Sequence, residues 1–194
     1  MVRKLSPEKR EKFLNSALKL FVANGVKNTS TAAIAKEAGT ASGTLFLYFP
    51  TKQNLIDELV LQISREQSET ITLLLEGEQT AQEMFQNIWD GSIRWFMENL
   101  LAYQYIQQVR DSGMISAEIT QETGQLFSFY YEAVQKGLSE GSIKPYPIEL
   151  IGELLYRDIV AVMNLILAQP DPTQQEEYLN LGFDIFWNGI RTTH

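Results

Sequence analysis

The chain has 194 residues, a formal net charge of −8 and no cysteine, so it is long enough to bury a real core but lacks the material for a disulfide scaffold or a zinc-thiolate site. Its one histidine, His194, is the last residue and reads as a frayed tail, so neither a metal nor another cofactor is expected. The longest apolar run, Ile159 to Leu167, is interrupted by Asn164 and is far short of a membrane span, and the first twelve residues have no apolar signal core; a cytoplasmic chain without a membrane partner is expected.

Apolar residues recur at threes and fours along nearly the whole chain and no strand-like alternation persists, which predicts an all-α fold. The first helix starts at Ser6 as N-cap, with Pro7 at its first position, and stops at Gly25; Phe13, Leu14, Ala17, Leu18 and Phe21 form its apolar face. Ser30 or Thr31 caps a short second helix in "TAAIAKEA", with Ala32 or Ala33, Ile34 and Ala38 facing inward and Gly39 as the left-handed residue that ends it. A third short helix follows in "ASGTLFLYF", its back anchored by Leu45, Phe46 and Phe49. Thr51 caps a long fourth helix from Lys52 to about Leu75, roughly 35 Å at ~1.5 Å per residue. Further helices are predicted near residues 80–100, 103–112, 116–140, 147–168 and 173–191, separated by DSG, EGSIKPYP and QPDPT.

Charge divides the chain. Residues 1–54 carry nine Lys/Arg against three Asp/Glu, a net +6, which leaves −14 on the remainder. A basic front end on an acidic body argues for a polyanion contact at one end only. The same front end holds two short helices joined across Gly39 and packed on a preceding helix, the plan of a helix-turn-helix whose second member can enter a DNA major groove. Gly43, with the small residues Ala41, Ser42 and Thr44, keeps the front of that helix slim enough to approach base edges. Tyr48 projects elsewhere, with a hydroxyl that can reach a phosphate, and Lys52 places a cation beside the exposed N–H groups of the next helix start.

The run "FVANG…TSTAAIAKEAGTASGTLFLYFPTKQNLIDEL" resembles the DNA-binding segment of the tetracycline-repressor (TetR) family of bacterial transcription regulators, over about residues 7–67. The resemblance implies a helix-turn-helix domain at 7–67, with the motif at about 30–49, and a regulatory domain at 68–194 holding an effector pocket and a dimer interface. It also implies phosphate contacts from Ser30, Thr31, Tyr48 and Lys52, and a groove-facing turn and helix start from Thr40 through Ala41, Ser42, Gly43 and Thr44. Two departures stand out: Ser42 occupies a position where many members carry a basic residue, and Leu47 one where histidine is common. Both remove polar reach at the groove, so apolar contact with thymine methyls and reading of DNA shape are expected to contribute more.

The body carries two features beyond simple packing. The helices at 147–168 and 173–191 are apolar around most of their surface, which one buried face cannot accommodate. Pairing with the same helices of a second chain is therefore expected, through Leu155, Ile159 and Met163 from the first and Leu179, Phe183 and Phe186 from the second. Glu153 and Arg157 form an i,i+4 pair in the favourable order. Asn164 is expected to be buried, with a partner across the dimer or on a ligand. An aromatic series of Trp89, Trp95, Phe96, Tyr103, Phe127, Tyr130 and Tyr131 is either plain core or the wall of a pocket for a small apolar or aromatic effector.

An enzyme fits poorly, because the chain has no cysteine nucleophile, no internal histidine and no phosphate-cradling glycine loop. The remaining alternative to a ligand-responsive regulator, most often a repressor in the resembling family, is a non-catalytic helical interaction module. That alternative leaves the basic front end and the slim third helix unexplained.

Overall fold

A computed structural model describes residues 5–193, so His194, Arg3 and Lys4 lie outside the described residues. The helices are α1 (Pro7–Asn24), α2 (Thr31–Glu37), α3 (Ser42–Tyr48), α4 (Lys52–Leu74), α5 (Ala81–Glu98), α6 (Leu100–Asp111), α7 (Ala117–Leu126), α8 (Ser128–Glu140), α9 (Ile148–Ala168) and α10 (Pro172–Ile190). The fold is all-α. One compact unit comprises the chain up to Arg65 together with Asn99–Gly124; the other comprises Glu66–Glu98 and the chain from Gln125 onward.

In the first unit, local chemistry sets each helix end. Ser6 Oγ accepts from the Lys9 N–H (3.3 Å) at the start of α1, and Ser30 Oγ accepts from the Ala33 N–H (3.1 Å) at the start of α2. Gly39 turns the chain out of α2 with φ +70°, a backbone angle that costs a residue with a Cβ about 1–2 kcal/mol. Thr51 and Asn54 cap α4 reciprocally: Asn54 N–H donates to Thr51 Oγ1 (3.0 Å) and Thr51 N–H donates to Asn54 Oδ1 (3.1 Å).

The core of this unit is aromatic. Phe13 lies 5.4 Å from the Tyr48 ring and meets Phe49 edge-on at 6.4 Å. Phe21 stacks on Tyr105 of α6 at 5.8 Å. The Tyr105 hydroxyl donates to the Ile56 carbonyl (3.0 Å), and burial drives its pKa well up, so it stays protonated as the donor that this bond needs. The turn after α6 is tied to α4, where the Gln53 amide donates to the Met114 carbonyl (2.9 Å) and Asp57 Oδ1 accepts from the Ser116 N–H (3.1 Å). The helix expected at 103–112, which carries Tyr103 of the aromatic series, therefore belongs to the same unit as the helix-turn-helix.

Three local expectations are corrected. Ala32 and Ala33 are exposed, and Ala35 is buried beside Ile34. With Ser30 as the cap, positions 34, 35 and 38 form one stripe, and a seven-residue helix has room for no wider one. Phe46 is 44% exposed, because Leu45 and Phe49, four residues apart, already fill the inward face of α3. The single helix expected over 116–140 is two: the chain breaks at Phe127 (φ −100°, ψ 28°), leaving α7 with no fully buried residue while α8 buries Phe129, Ala133 and Val134.

The second unit is organised around rings from α5 and α10. Phe85 packs against Phe186 (5.8 Å) and Trp187 (6.0 Å), and Trp89 stacks on Phe186 (6.2 Å). The Trp89 indole N–H donates to the Leu179 carbonyl (3.0 Å). Gly182 on α10 lets α9 and α5 approach, since a Cβ there would lie 2.5 Å from Val162 Cγ2 and 2.7 Å from Trp89 Cζ2. Neither neighbour yields easily, one being β-branched and the other a fully buried ring. Gly182→Ala is expected to destabilise the fold by about 1–3 kcal/mol despite alanine's better helix propensity. A thermal melt as stable as wild type would contradict this.

Candidate nucleic-acid interface

Lys27, Asn28, Thr29, Ser30, Thr31, Phe46 and Lys52 line an open cleft of about 420 Å³ in the first unit. Its residues come from the loop before α2, the start of α2, α3 and the start of α4. The buried Thr29 holds the loop, sharing its hydroxyl proton between the carbonyls of Gly25 (2.9 Å) and Leu20 (3.1 Å). Lys52 Nζ donates to the Lys27 carbonyl (3.3 Å) and lies 6.0 Å from the centroid of the Phe21 ring. Partial burial lowers the Lys52 pKa. Loss of water makes a partly desolvated ammonium a better partner for an arriving anion. Lys27 is exposed beside it.

On α3 and the turn before it, Ala41, Ser42 and Gly43 are exposed, Thr44 is half-buried and Leu47 is 63% exposed. Thr40 is turned partly inward, its hydroxyl donating to the Ala35 carbonyl (3.3 Å). The Tyr48 oxygen accepts from the Ser6 N–H (3.0 Å), which leaves its own proton to be donated outward. The cleft thus brings Ser30, Thr31 and Lys52 together, with Tyr48 at the end of the same helix as Thr44 and Leu47. Lys27, Asn28, Thr29 and Phe46 line the cleft as well and are not among the residues expected from the sequence. In the sequence Lys27 stands out only as charge, and Phe46 has the spacing of a core residue.

Not every cation of the basic front end is available to a ligand. Arg10 pairs with Glu58 and lies 5.7 Å from the centroid of the Phe49 ring, and Lys19 pairs with Glu37 at 2.7 Å. Both pairs are solvated and contribute little to stability.

The family model for "Bacterial regulatory proteins, tetR family" matches residues 13–59, which include α2, α3 and every residue of the cleft. A TetR-family transcription regulator from Shewanella sp. PV-4 has the same fold, with a TM-score of 0.88 and 29% identity over 95% of this chain and 99% of that one. The chain is a TetR-family transcription regulator. The uncharacterized HTH-type transcriptional regulator YhgD of Bacillus subtilis is 21% identical over 91% of this chain and 94% of its own length. The HTH-type transcriptional regulator LuxR of Vibrio harveyi is 26% identical over 69% of each chain. DNA is accordingly the partner of this regulator.

The residues expected to hold an effector in this TetR-family regulator are drawn from both units. Trp89, Trp95 and Phe96 are buried on α5, and Trp89 is locked by Phe183, Phe186 and its hydrogen bond. Tyr103 is buried on α6 in the other unit. Phe127 is half-buried at the break before α8; Tyr130 gives its hydroxyl to the Ile148 carbonyl (2.8 Å), with its pKa raised by burial, and Tyr131 is 56% exposed. Asn164, expected to be buried, is exposed on α9.

The expected dimer residues are also placed differently. Leu155, Ile159, Met163, Leu179, Phe183 and Phe186 are all buried in the chain's own core. The apolar residues that α9 and α10 turn outward are Leu150, Leu154, Leu165, Leu167, Leu181 and Ile185, between 43% and 71% exposed. Two helices apolar all round have an inner and an outer set, and periodicity cannot say which is which. The Glu153–Arg157 pair forms as expected, at 2.7 Å.

Proposed function

We propose that this regulator is a repressor that binds a pseudo-palindromic operator as a homodimer in the cytoplasm and leaves it when a small apolar or aromatic effector, neutral or cationic, binds. The observation that carries the DNA part is the cleft, where two lysines and the capped start of α2 lie beside an exposed, slim α3. Phosphate oxygens fit there, and fixing them would set α3 against the bases. The division of labour is a DNA-binding domain at 7–67 and a regulatory domain at 68–194, with no catalytic role.

Dimerisation is proposed through the outward set of α9 and α10, because six exposed leucine and isoleucine side chains on two neighbouring helices form the kind of surface that a monomer rarely leaves in water. Effector binding is proposed in the second unit, where Trp89, Trp95, Phe96, Phe127 and Tyr130 supply aromatic side chains. A coupling of about 1–3 kcal/mol, roughly 5–150-fold in DNA affinity, would be ordinary for such a switch.

The test starts by selecting bound duplexes from random DNA with the full chain, where a two-fold related site is expected. Against that site, Lys52→Ala should weaken binding to all sequences alike and flatten the salt dependence, whereas Thr44→Ala should change base preference. Equal loss of preference from both substitutions would show that the roles are misassigned. A chain with no preference among duplexes would favour the interaction module.

A further inference from the structure

The outward side of α3 has an unusual composition for a base reader. Its exposed or half-exposed residues, with those of the preceding turn, are Thr40, Ala41, Ser42, Gly43, Thr44, Phe46, Leu47 and Tyr48, whose hydroxyl is the one proposed for phosphate. None carries an amide, carboxylate, guanidinium or ammonium group, so the bidentate contacts that identify guanine and adenine, and the carboxylate contact to cytosine, are not available from this helix. The hydroxyls of Ser42 and Thr44 are short and accept or donate to several edges. One base remains with an apolar mark in the major groove, thymine through its C5-methyl group.

Leu47 and Phe46 divide the apolar surface between two directions. Phe46 lines the cleft with Lys27 and Lys52, on the side proposed for phosphate. Leu47 lies about 100° further round the helix, outside the cleft lining, and is the more exposed of the two at 63% against 44%. A helical leucine leans over the turn N-terminal to it, and the residue four positions earlier is Gly43, where a Cβ would meet nothing within 4 Å. The Leu47 side chain therefore has open space on its N-terminal side, with no neighbouring side chain at Gly43 to hold a base edge away.

We propose that Leu47 is the specificity-determining residue of this regulator and that it selects a thymine in each half-site by covering the C5-methyl group. This rests on the reading of the first unit as a dimeric operator binder. Removal of the thymine methyl should expose part of Leu47 and cost about three- to fivefold per half-site, or about ten- to twentyfold when both half-sites are changed.

The experiment replaces each thymine of the selected operator in turn by deoxyuridine, which removes the methyl and keeps the pairing, and measures affinity for the wild-type chain and for Leu47→Ala. One symmetric pair of positions should show the loss with wild type and none with Leu47→Ala. Because Leu47 is exposed, the variant should keep its circular dichroism and thermal midpoint. Selective binding with no deoxyuridine-sensitive position overturns the proposal alone. So does a penalty that survives Leu47→Ala but disappears in Phe46→Ala, which would move the contact to Phe46. Absence of any selective binding by the wild-type chain overturns the operator reading as well.

Discussion

Raising the salt concentration from 50 to 200 mM is expected to lower operator affinity by about 10³–10⁵-fold. The groups proposed to face phosphate on one protomer are Ser30, Thr31, Tyr48, Lys52 and the exposed Lys27, and the proposed two-fold dimer doubles them. If about 6–10 of these contacts form, binding displaces a comparable number of condensed counterions, and the logarithm of the affinity falls linearly with the logarithm of the salt concentration. The net charge of −8 makes this a discriminating measurement, because an acidic protein has no general attraction for DNA. The dependence must come from the front end, where residues 1–54 carry +6. Arg10 and Lys19 are engaged with Glu58 and Glu37, so neutralising either should change the slope less than Lys52→Ala does. Fluorescence anisotropy across a salt series gives the slope directly; affinity independent of salt would remove phosphate contact as the basis of binding.

Helix ends were readable from the sequence wherever a side chain or a glycine acts on its immediate neighbours. Ser6, Ser30, Thr51 and Gly39 each do so within three or four residues, and each sits where the local rule puts it. The break at Phe127 had no such marker, because neither proline nor glycine stands between Gln125 and Tyr131 and the apolar spacing runs through it. The cleft was half legible. Its polar members are visible as a cap, a neighbouring threonine and a lysine, whereas Phe46 sits between Leu45 and Phe49, which face the core, and shares their apolar character. Orientation on α9 and α10 was illegible for a different reason. Burial depends on which neighbours a helix meets, and the α5 rings that pack on Phe183 and Phe186 lie about 100 residues earlier in the chain.

That orientation leads to the sharpest test of the assembly, a pair of adjacent substitutions with opposite outcomes. Phe186 is 3% exposed and packed against Phe85, Trp89 and Phe183, whereas Ile185, one residue away, is 71% exposed. Phe186→Glu removes a core ring, a loss of the kind that costs about 3–5 kcal/mol, and adds the burden of burying an unpaired carboxylate. Against a total stability of about 5–15 kcal/mol, that is expected to leave the chain largely unfolded. Ile185→Glu places its charge in water in the isolated chain, so helicity and melting of the monomer should survive. In a dimer built on the outward face of α9 and α10, however, the same carboxylate would be repeated across the two-fold axis in an apolar interface. The expected product is a folded monomer by sedimentation, with operator affinity lower by about 10²–10⁴-fold, because the second half-site is no longer bound at high effective concentration. Non-specific binding through the single cleft should persist at low salt. A folded Ile185→Glu chain that still sediments as a dimer and binds the operator at full strength would place the interface elsewhere, and a wild-type chain that is monomeric at micromolar concentration would remove the dimer altogether.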